Sequence, residues 1–258
     1  MARLLSCLVW LSLALVLMPA GLVGPALSGG HAVWAQSPGD SGDTPSFDGL
    51  ASTRTTLPSA WPTWMSRYSR TVVFLGDSLT EGPGIRADQA YPALLQHQLD
   101  AAGYPLRAIN AGVSGNTSAQ GLARIDALLA KRPLFLVVNF GTNDANLSRE
   151  APEVVSERLR RNLDEMVTRA HAKNTWVVLI PTKLPNFYKP ALVSGFAKAF
   201  EAVSKAHKVP LGPGLLDGVW GNGKLWLNNG HPNAAGHRVV AGNVWQALEP
   251  VVRKRLRR

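Results

Sequence analysis

From residue 71 onward the chain alternates between two kinds of apolar pattern. "TVVFLG" (71–76) is a short unbroken apolar run, as expected of a strand covered on both faces. "LRAINAG" (106–112) is strand-like, and "LFLVVNFG" (134–141) and "TWVVLI" (175–180) read as strands, the last stopped by Pro181. Between them the apolar residues recur at helical spacing. "AYPALLQHQLDAAG" (90–103) ends at Gly103, a plausible C-cap. "SAQGLARIDALLAK" (118–131) follows, then "APEVVSERLRRNLDEMVTRAHAK" (151–173), with Pro152 in its first turn. "ALVSGFAKAFEAVSKAH" (191–207) and "NAAGHRVVAGNVWQALEPVVRKRL" (233–256) complete the helical set, and "VPLGPGLLDGV" (209–219) offers a short fifth strand. Strand–helix alternation of this kind builds right-handed βαβ units around a parallel sheet. The expected fold is α/β: one three-layer αβα sandwich over residues 60–258, with a central parallel sheet and flavodoxin-like order. No internal repeat is present.

The first 59 residues do not join that pattern. Arg3 precedes the apolar run "LLSCLVWLSLALVLM", then Pro19, and "AVWAQS" places Val33 and Ala35 where a signal peptidase reads. Residues 1–35 therefore read as a secretory signal peptide. An uncleaved anchor is the alternative, since residues 4–23 approach the ~20 needed to span a bilayer. Pro19, the glycines after it and the cleavage pattern favour the signal peptide, hence an exported protein, periplasmic or secreted, with no membrane span after cleavage. Residues 36–59, rich in Ser, Thr, Pro, Gly and Asp, read as a flexible linker. Trp61 and Trp64 in "AWPTWMSRY" are placed to cap the domain edge.

Composition narrows the chemistry. The chain is 46% apolar and 17% charged, which fits a packed core and excludes wholesale disorder. Its one cysteine, Cys7, lies in the signal segment, so the mature chain has no disulfide, thiolate–metal site or Cys nucleophile. Net charge is +10, and the tail "VVRKRLRR" supplies half of it through Arg253, Lys254, Arg255, Arg257 and Arg258. Cations suit a solvated helix C-terminus. Adhesion to anionic lipid or nucleic acid is the sharper reading. Without basic–aromatic interleaving elsewhere, the plain one is preferred and no nucleic-acid partner is expected.

In open parallel sheets, ligands bind at the carboxyl ends of the strands. Three predicted strands run into polar turns there: "GDSLTEGPG", "NAGVSGNTS" and "NFGTND". Together these offer a hydroxyl (Ser78), a sterically uncovered backbone N–H (Gly112) and a side-chain amide (Asn143). The loop "LWLNNGHPNAAGH" adds His231. Nucleophile, oxyanion donors and base make an acyl-transfer site. Each has a plainer structural explanation: Ser78 as a helix cap, Gly112 as a tight-turn glycine, Asn143 bonding its own backbone, His231 satisfied by water. Those explanations weaken because all four coincide at one sheet edge.

These blocks resemble the SGNH hydrolase superfamily, the GDSL-type esterases, and within it the arylesterase/thioesterase/lysophospholipase branch. The similarity runs from about residue 71 to residue 252, through "FLGDSLTEGPG", "INAGVSGNTSAQGLARID", "NFGTND" and "GHPNAAGHRVVAGNVWQALEP". The resemblance implies Ser78 as nucleophile, His231 as general base, an oxyanion hole from Ser78 N–H, Gly112 N–H and the Asn143 amide, and no metal or organic cofactor. One block departs. The family carries an Asp three residues before the His; here that position is Asn228, and its neighbour Asn229 is also an amide. The expected arrangement is a Ser–His dyad in which a neutral oxygen of Asn228, Asn229 or nearby backbone orients the ring. Asp217 is the alternative acid, should the fold bring it in.

The substrate is expected to be a small acyl ester, thioester or lysophospholipid, with Phe187, Tyr188, Trp220 and Trp226 either lining an acyl or aryl site or packing. Two other functions fit the same residues: acyl or acetyl transfer to an envelope polysaccharide, and a non-catalytic binding module decayed at Asn228. The first is distinguished by acceptor-dependent product, the second by failure of Ser78 to react with a fluorophosphonate.

Overall fold

A computed structural model describes residues 68–256. The signal-peptide, linker and Trp61/Trp64 assignments, with Cys7, Arg257 and Arg258, lie outside the described residues. Four strands form one parallel sheet: β1 (Ser69–Gly76), β2 (Arg107–Gly112), β3 (Pro133–Val138) and β4 (Trp176–Leu179), in the order β2-β1-β3-β4. Placing β1 between β2 and β3 makes the chain reverse its winding direction at β1. The ends of these three strands are where an open sheet leaves a crevice.

Side chains of a strand alternate faces, and both faces here are apolar. Val72 and Phe74 of β1, with Phe135 and Val137 of β3, pack under α2 (Tyr91–Ala101) and α7 (Ala234–Leu256). Val73 and Leu75, with Leu136 and Val138, face α3 (Ser118–Leu129), α5 (Pro152–Ala172) and α6 (Pro190–His207). Double coverage explains why these strands read as unbroken apolar runs. The αβα sandwich expected from the alternation is the fold found.

Helix boundaries follow local chemistry. Pro152 and Pro190 open α5 and α6, where a missing N–H costs nothing. Thr117 caps α3 in a reciprocal capping box with Gln120. Gly103 follows the α2 C-cap with φ +73°. The proposed fifth strand is a correction: it shrinks to one parallel bridge between Leu179 and Leu211. Pro210 and Pro213 flank that bridge and have no N–H to extend a ladder. Arg255 lays its guanidinium over the Trp176 ring, 3.2 Å from the centroid, and Arg253 pairs with Glu249 at 3.6 Å. Part of the basic tail therefore packs on the domain. Among the described residues no helix is long and apolar enough to cross a membrane.

Candidate active site

The turn after β1 is a helix start. Asp77 is the N-cap of α1 (Ser78–Glu81), its Oδ1 accepting from Leu79 N–H at 2.9 Å. Ser78 is thus the first helical residue and not the cap. Its N–H belongs to the set that a helix leaves without an intrahelical acceptor. Asp77 is fully buried, and desolvation pushes its carboxyl up to about 7, against the Leu79 hydrogen bond and with help from the nearby Asp144 charge.

Hydrogen bonds draw the three turns together. Val113 N–H donates to Gly76 O at 3.2 Å and Asn139 N–H to Leu75 O at 3.0 Å. Asn143, in α4 (Thr142–Leu147), donates its amide to Asn116 O at 2.9 Å and lies 3.4 Å from Asp77 Oδ2. Beneath it, buried Asp144 accepts from Ser118 N–H at 2.8 Å and Ser118 Oγ–H at 2.5 Å, pinning α4 to α3. The turn at 113–116 is clamped from two more sides. Glu81 accepts from Ser114 N–H at 2.6 Å; Arg124 donates to Asn116 Oδ1 at 3.0 Å and to Gly76 O at 2.8 Å.

Gly112 needs correction as an oxyanion donor. It is still in the ladder, paired with Gly76, and its N–H donates to Asn110 Oδ1 at 2.9 Å. It is glycine for packing: a Cβ there would lie 2.2 Å from Glu81 N. Gly115, three residues on, has φ +79°, and a Cβ there would meet nothing within 4 Å. It precedes Asn116, whose carbonyl holds Asn143.

The His231 loop lies against the residues that follow α1. A Cβ on Gly84 would lie 2.8 Å from Leu227 Cδ1 and 3.3 Å from Asn229 Nδ2. Leu227 N–H donates to His231 O at 2.8 Å, and Asn229 Oδ1 accepts from His231 backbone N–H at 3.2 Å. The ring is another matter. His231 Nδ1 is buried and has no hydrogen-bond partner. The neutral orienter expected from Asn228 or Asn229 is therefore not formed: Asn228 is exposed and Asn229 holds backbone. Asp217 does not replace it, since its Oδ2 is taken by Lys183 Nζ at 2.6 Å and Gly214 N–H at 2.9 Å. A buried polar atom left unpaired costs about 1–3 kcal/mol.

A second histidine, absent from the sequence reading, sits behind the first. His237 is buried and accepts from Tyr91 N–H at Nδ1, 3.1 Å away. Burial first, then the His231 charge, push it down to about 4, so it stays neutral at physiological pH. Asp77 and His237 then act oppositely on stability. A carboxyl raised to about 7 loses stabilisation as pH climbs toward that value; an imidazole lowered to about 4 gains it as pH climbs toward 6.5. Between about pH 5 and 6 the two slopes offset. We expect Asp77→Asn to leave stability rising with pH in that window and His237→Asn to leave it falling, as read from urea midpoints.

The four aromatics do come together. Phe187 stacks on Tyr188 with centroids 4.9 Å apart, meets Trp220 edge-on at 6.1 Å, and Trp220 lies 4.7 Å from Trp226. Phe187 is 72% exposed and Trp220 36%. Tyr188 and Trp220 border a narrow cleft shared with Leu79 and Thr142, neighbours of Ser78 and Asn143. A separate hollow of about 530 Å³ opens on the Asn143 side, lined by Thr117, Ala119, Leu147, Arg149 and Arg158 among others.

Residues 74–239 match the GDSL-like lipase/acylhydrolase family. The chain belongs to this family. It is 37% identical over 186 residues to the esterase TesA of Pseudomonas aeruginosa, covering 71% of this chain and 90% of that protein. It is 31% identical over 192 residues to thioesterase 1/protease 1/lysophospholipase L1 of Escherichia coli K12, covering 74% and 88%. A crystal structure of TesA superposes with a TM-score of 0.65, at 37% identity, over 70% of this chain and 98% of that one. As a GDSL-like acylhydrolase the protein is a carboxylic ester hydrolase.

Proposed function

We propose that the protein hydrolyses short- to medium-chain carboxylic esters, thioesters among them, through Ser78 and a weakly supported His231. The observation that carries this is the junction of three strand ends at Asn143. One amide group lies against Asp77, beside the nucleophile, and against Asn116, beside Gly115. Ser78 attacks the acyl carbon and His231 takes its proton. The tetrahedral oxyanion is received by the Ser78 N–H, by the Gly115 N–H, which replaces Gly112 in this role, and by the Asn143 amide hydrogen that now makes only the long 3.4 Å contact to Asp77. The leaving group departs with the proton from His231. Water, activated by the same ring, then releases the acid. The aromatic row beside the cleft supports an apolar acyl or aryl group.

Incubation with a fluorophosphonate tests the reading. Label on Ser78, with turnover of a short-chain p-nitrophenyl ester, supports it; an unlabelled Ser78 overturns it. Asn143→Ala is expected to lose about 10²–10³ in kcat with KM little changed, the usual cost of one oxyanion donor. Export with cleavage after Ala35 is a separate proposal from the N-terminal pattern. N-terminal sequencing of the extracytoplasmic protein decides between it and a retained anchor.

A further inference from the structure

We propose that Asn229 is a deamidation site whose product, a carboxylate beside His231, supplies the anionic support that the base lacks. This rests on the Ser78–His231 reading. Asparagine cyclises most readily when the next residue has no side chain to obstruct the backbone nitrogen. Residues 228–230 read Asn-Asn-Gly and all three are exposed. A Cβ on Gly230 would meet nothing within 4 Å, so the nitrogen has open surroundings. Asn228 is the poorer candidate, because its neighbour is a branched amide.

The local hydrogen bonds set both the accelerator and the brake. Asn229 Oδ1 accepts from His231 N–H at 3.2 Å, which draws electron density from Cγ and makes it more electrophilic. Gly230 N–H donates to Leu227 O at 3.2 Å, a bond that must open before the nitrogen can attack. The reaction then runs without any other reagent than water. Gly230 N gives its proton to solvent and bonds to Cγ; the Cγ–NH₂ bond breaks and ammonia leaves, taking a proton. Water opens the five-membered imide at Cγ, regenerating the peptide bond with an aspartate, or at the backbone carbonyl, giving isoaspartate. The sum is amide plus water to carboxylate plus ammonium.

The position gives the product a use. The Asn229 side chain already grips the backbone N–H of the residue whose ring Nδ1 is buried and unpartnered. A carboxylate keeps that grip with one oxygen and replaces Nδ2, a donor, with an acceptor. A negative charge there favours the imidazolium formed during attack. His237, the other titratable group coupled to this ring, is pushed down by burial and by His231, so it adds no competing charge near neutral pH.

The test compares freshly purified enzyme with enzyme held at mildly alkaline pH. Charge variants are separated by ion exchange and each fraction is peptide-mapped and assayed on the p-nitrophenyl ester. The modified fraction is expected to carry NH₂→OH at residue 229. Its turnover should rise between about 10-fold and the 10⁴-fold span of a triad acid, with a higher kinetic pKa. Asn229→Asp should show this at once, and Asn229→Gln should never acquire it. Intact Asn229 after incubation of the folded enzyme overturns the proposal. So does a modified fraction with unchanged rate and pH profile, or Asn229→Gln activating on the same time course. Because fractions of the unmutated chain are assayed, a poorly folding variant does not shield the idea. Ser78 labelling in the fresh enzyme separates the two levels: labelled but never activated removes this proposal alone, and unlabelled removes the hydrolase mechanism beneath it.

Discussion

Ser78→Ala is expected to lower kcat for a short-chain ester by about 10²–10⁴, and His231→Ala by a similar factor, with the double variant no worse than either. In the proposed mechanism the two side chains perform one act, moving a proton off the attacking oxygen, so removing either removes it all. What survives is the field of the oxyanion donors, which needs no nucleophile to polarise an acyl carbonyl. A fully supported serine-protease triad loses about 10⁶ on the same deletion. The smaller drop follows from the unpartnered Nδ1 of His231: the parent starts lower, having no charge behind its imidazolium. The measurement is single-turnover acylation for each variant beside the parent. A drop near 10⁶ would mean that the working enzyme does have a carboxylate on the ring. Strict additivity of the two deletions would mean that Ser78 and His231 do not share a step.

Strands β1, β3 and β4 were legible because they are covered on both faces, whereas β2 at the sheet edge has no buried residue. Val72 to Leu75 and Leu134 to Val138 are nearly or wholly inaccessible, so no polar position interrupts the run and the pattern has one interpretation. The fifth strand failed for the complementary reason. Its apolar residues are real, but Pro210 and Pro213 cannot donate, and only Leu211 reaches β4. Helices α1 and α4 carry too few residues for periodicity. One is set by the Asp77 side-chain cap and the other by Gly141 at φ +135°.

At the site, residue types were legible and partners were not. Ser78, Asn143 and His231 announce themselves at the ends of predicted strands and loops. Reading Gly112 as a free donor required knowing where β2 ends, which "NAGVSG" does not show. The ladder reaches Gly112, so that N–H is spent on Asn110 and the turn proper begins after it. Glu81, Asn110 and Arg124 hold the turns through bonds that cross 29 to 48 residues of sequence. No local pattern encodes such pairs; topology creates them. The amide at residue 228 was the opposite case, visible in the sequence, and in the structure the nearby His231 Nδ1 has no partner.

Asn228→Asp puts a carboxylate back at the position where the resemblance expects the acid. The acid of a triad fixes the tautomer that leaves Nε2 free and stabilises the imidazolium in the transition state; in the serine-protease example its replacement by an amide costs about 10⁴. His231 has neither service from residue 228 in this structure. The ring nitrogen is already buried and unpaired, so an acceptor reaching it also removes a standing penalty of about 1–3 kcal/mol. Asn228 is exposed, so its carboxylate would give up some hydration to turn inward, and the gain is bounded by 10⁴ rather than set at it. The sign in the pH profile is fixed: a nearby negative charge favours protonated His231, so the acidic limb of kcat/KM moves to higher pH while the plateau rises. A raised plateau without a shifted limb would mean that the gain came from loop packing. No change in either means that residue 228 does not reach the ring, and Asn229→Asp, one residue nearer and anchored on the His231 N–H, becomes the decisive comparison.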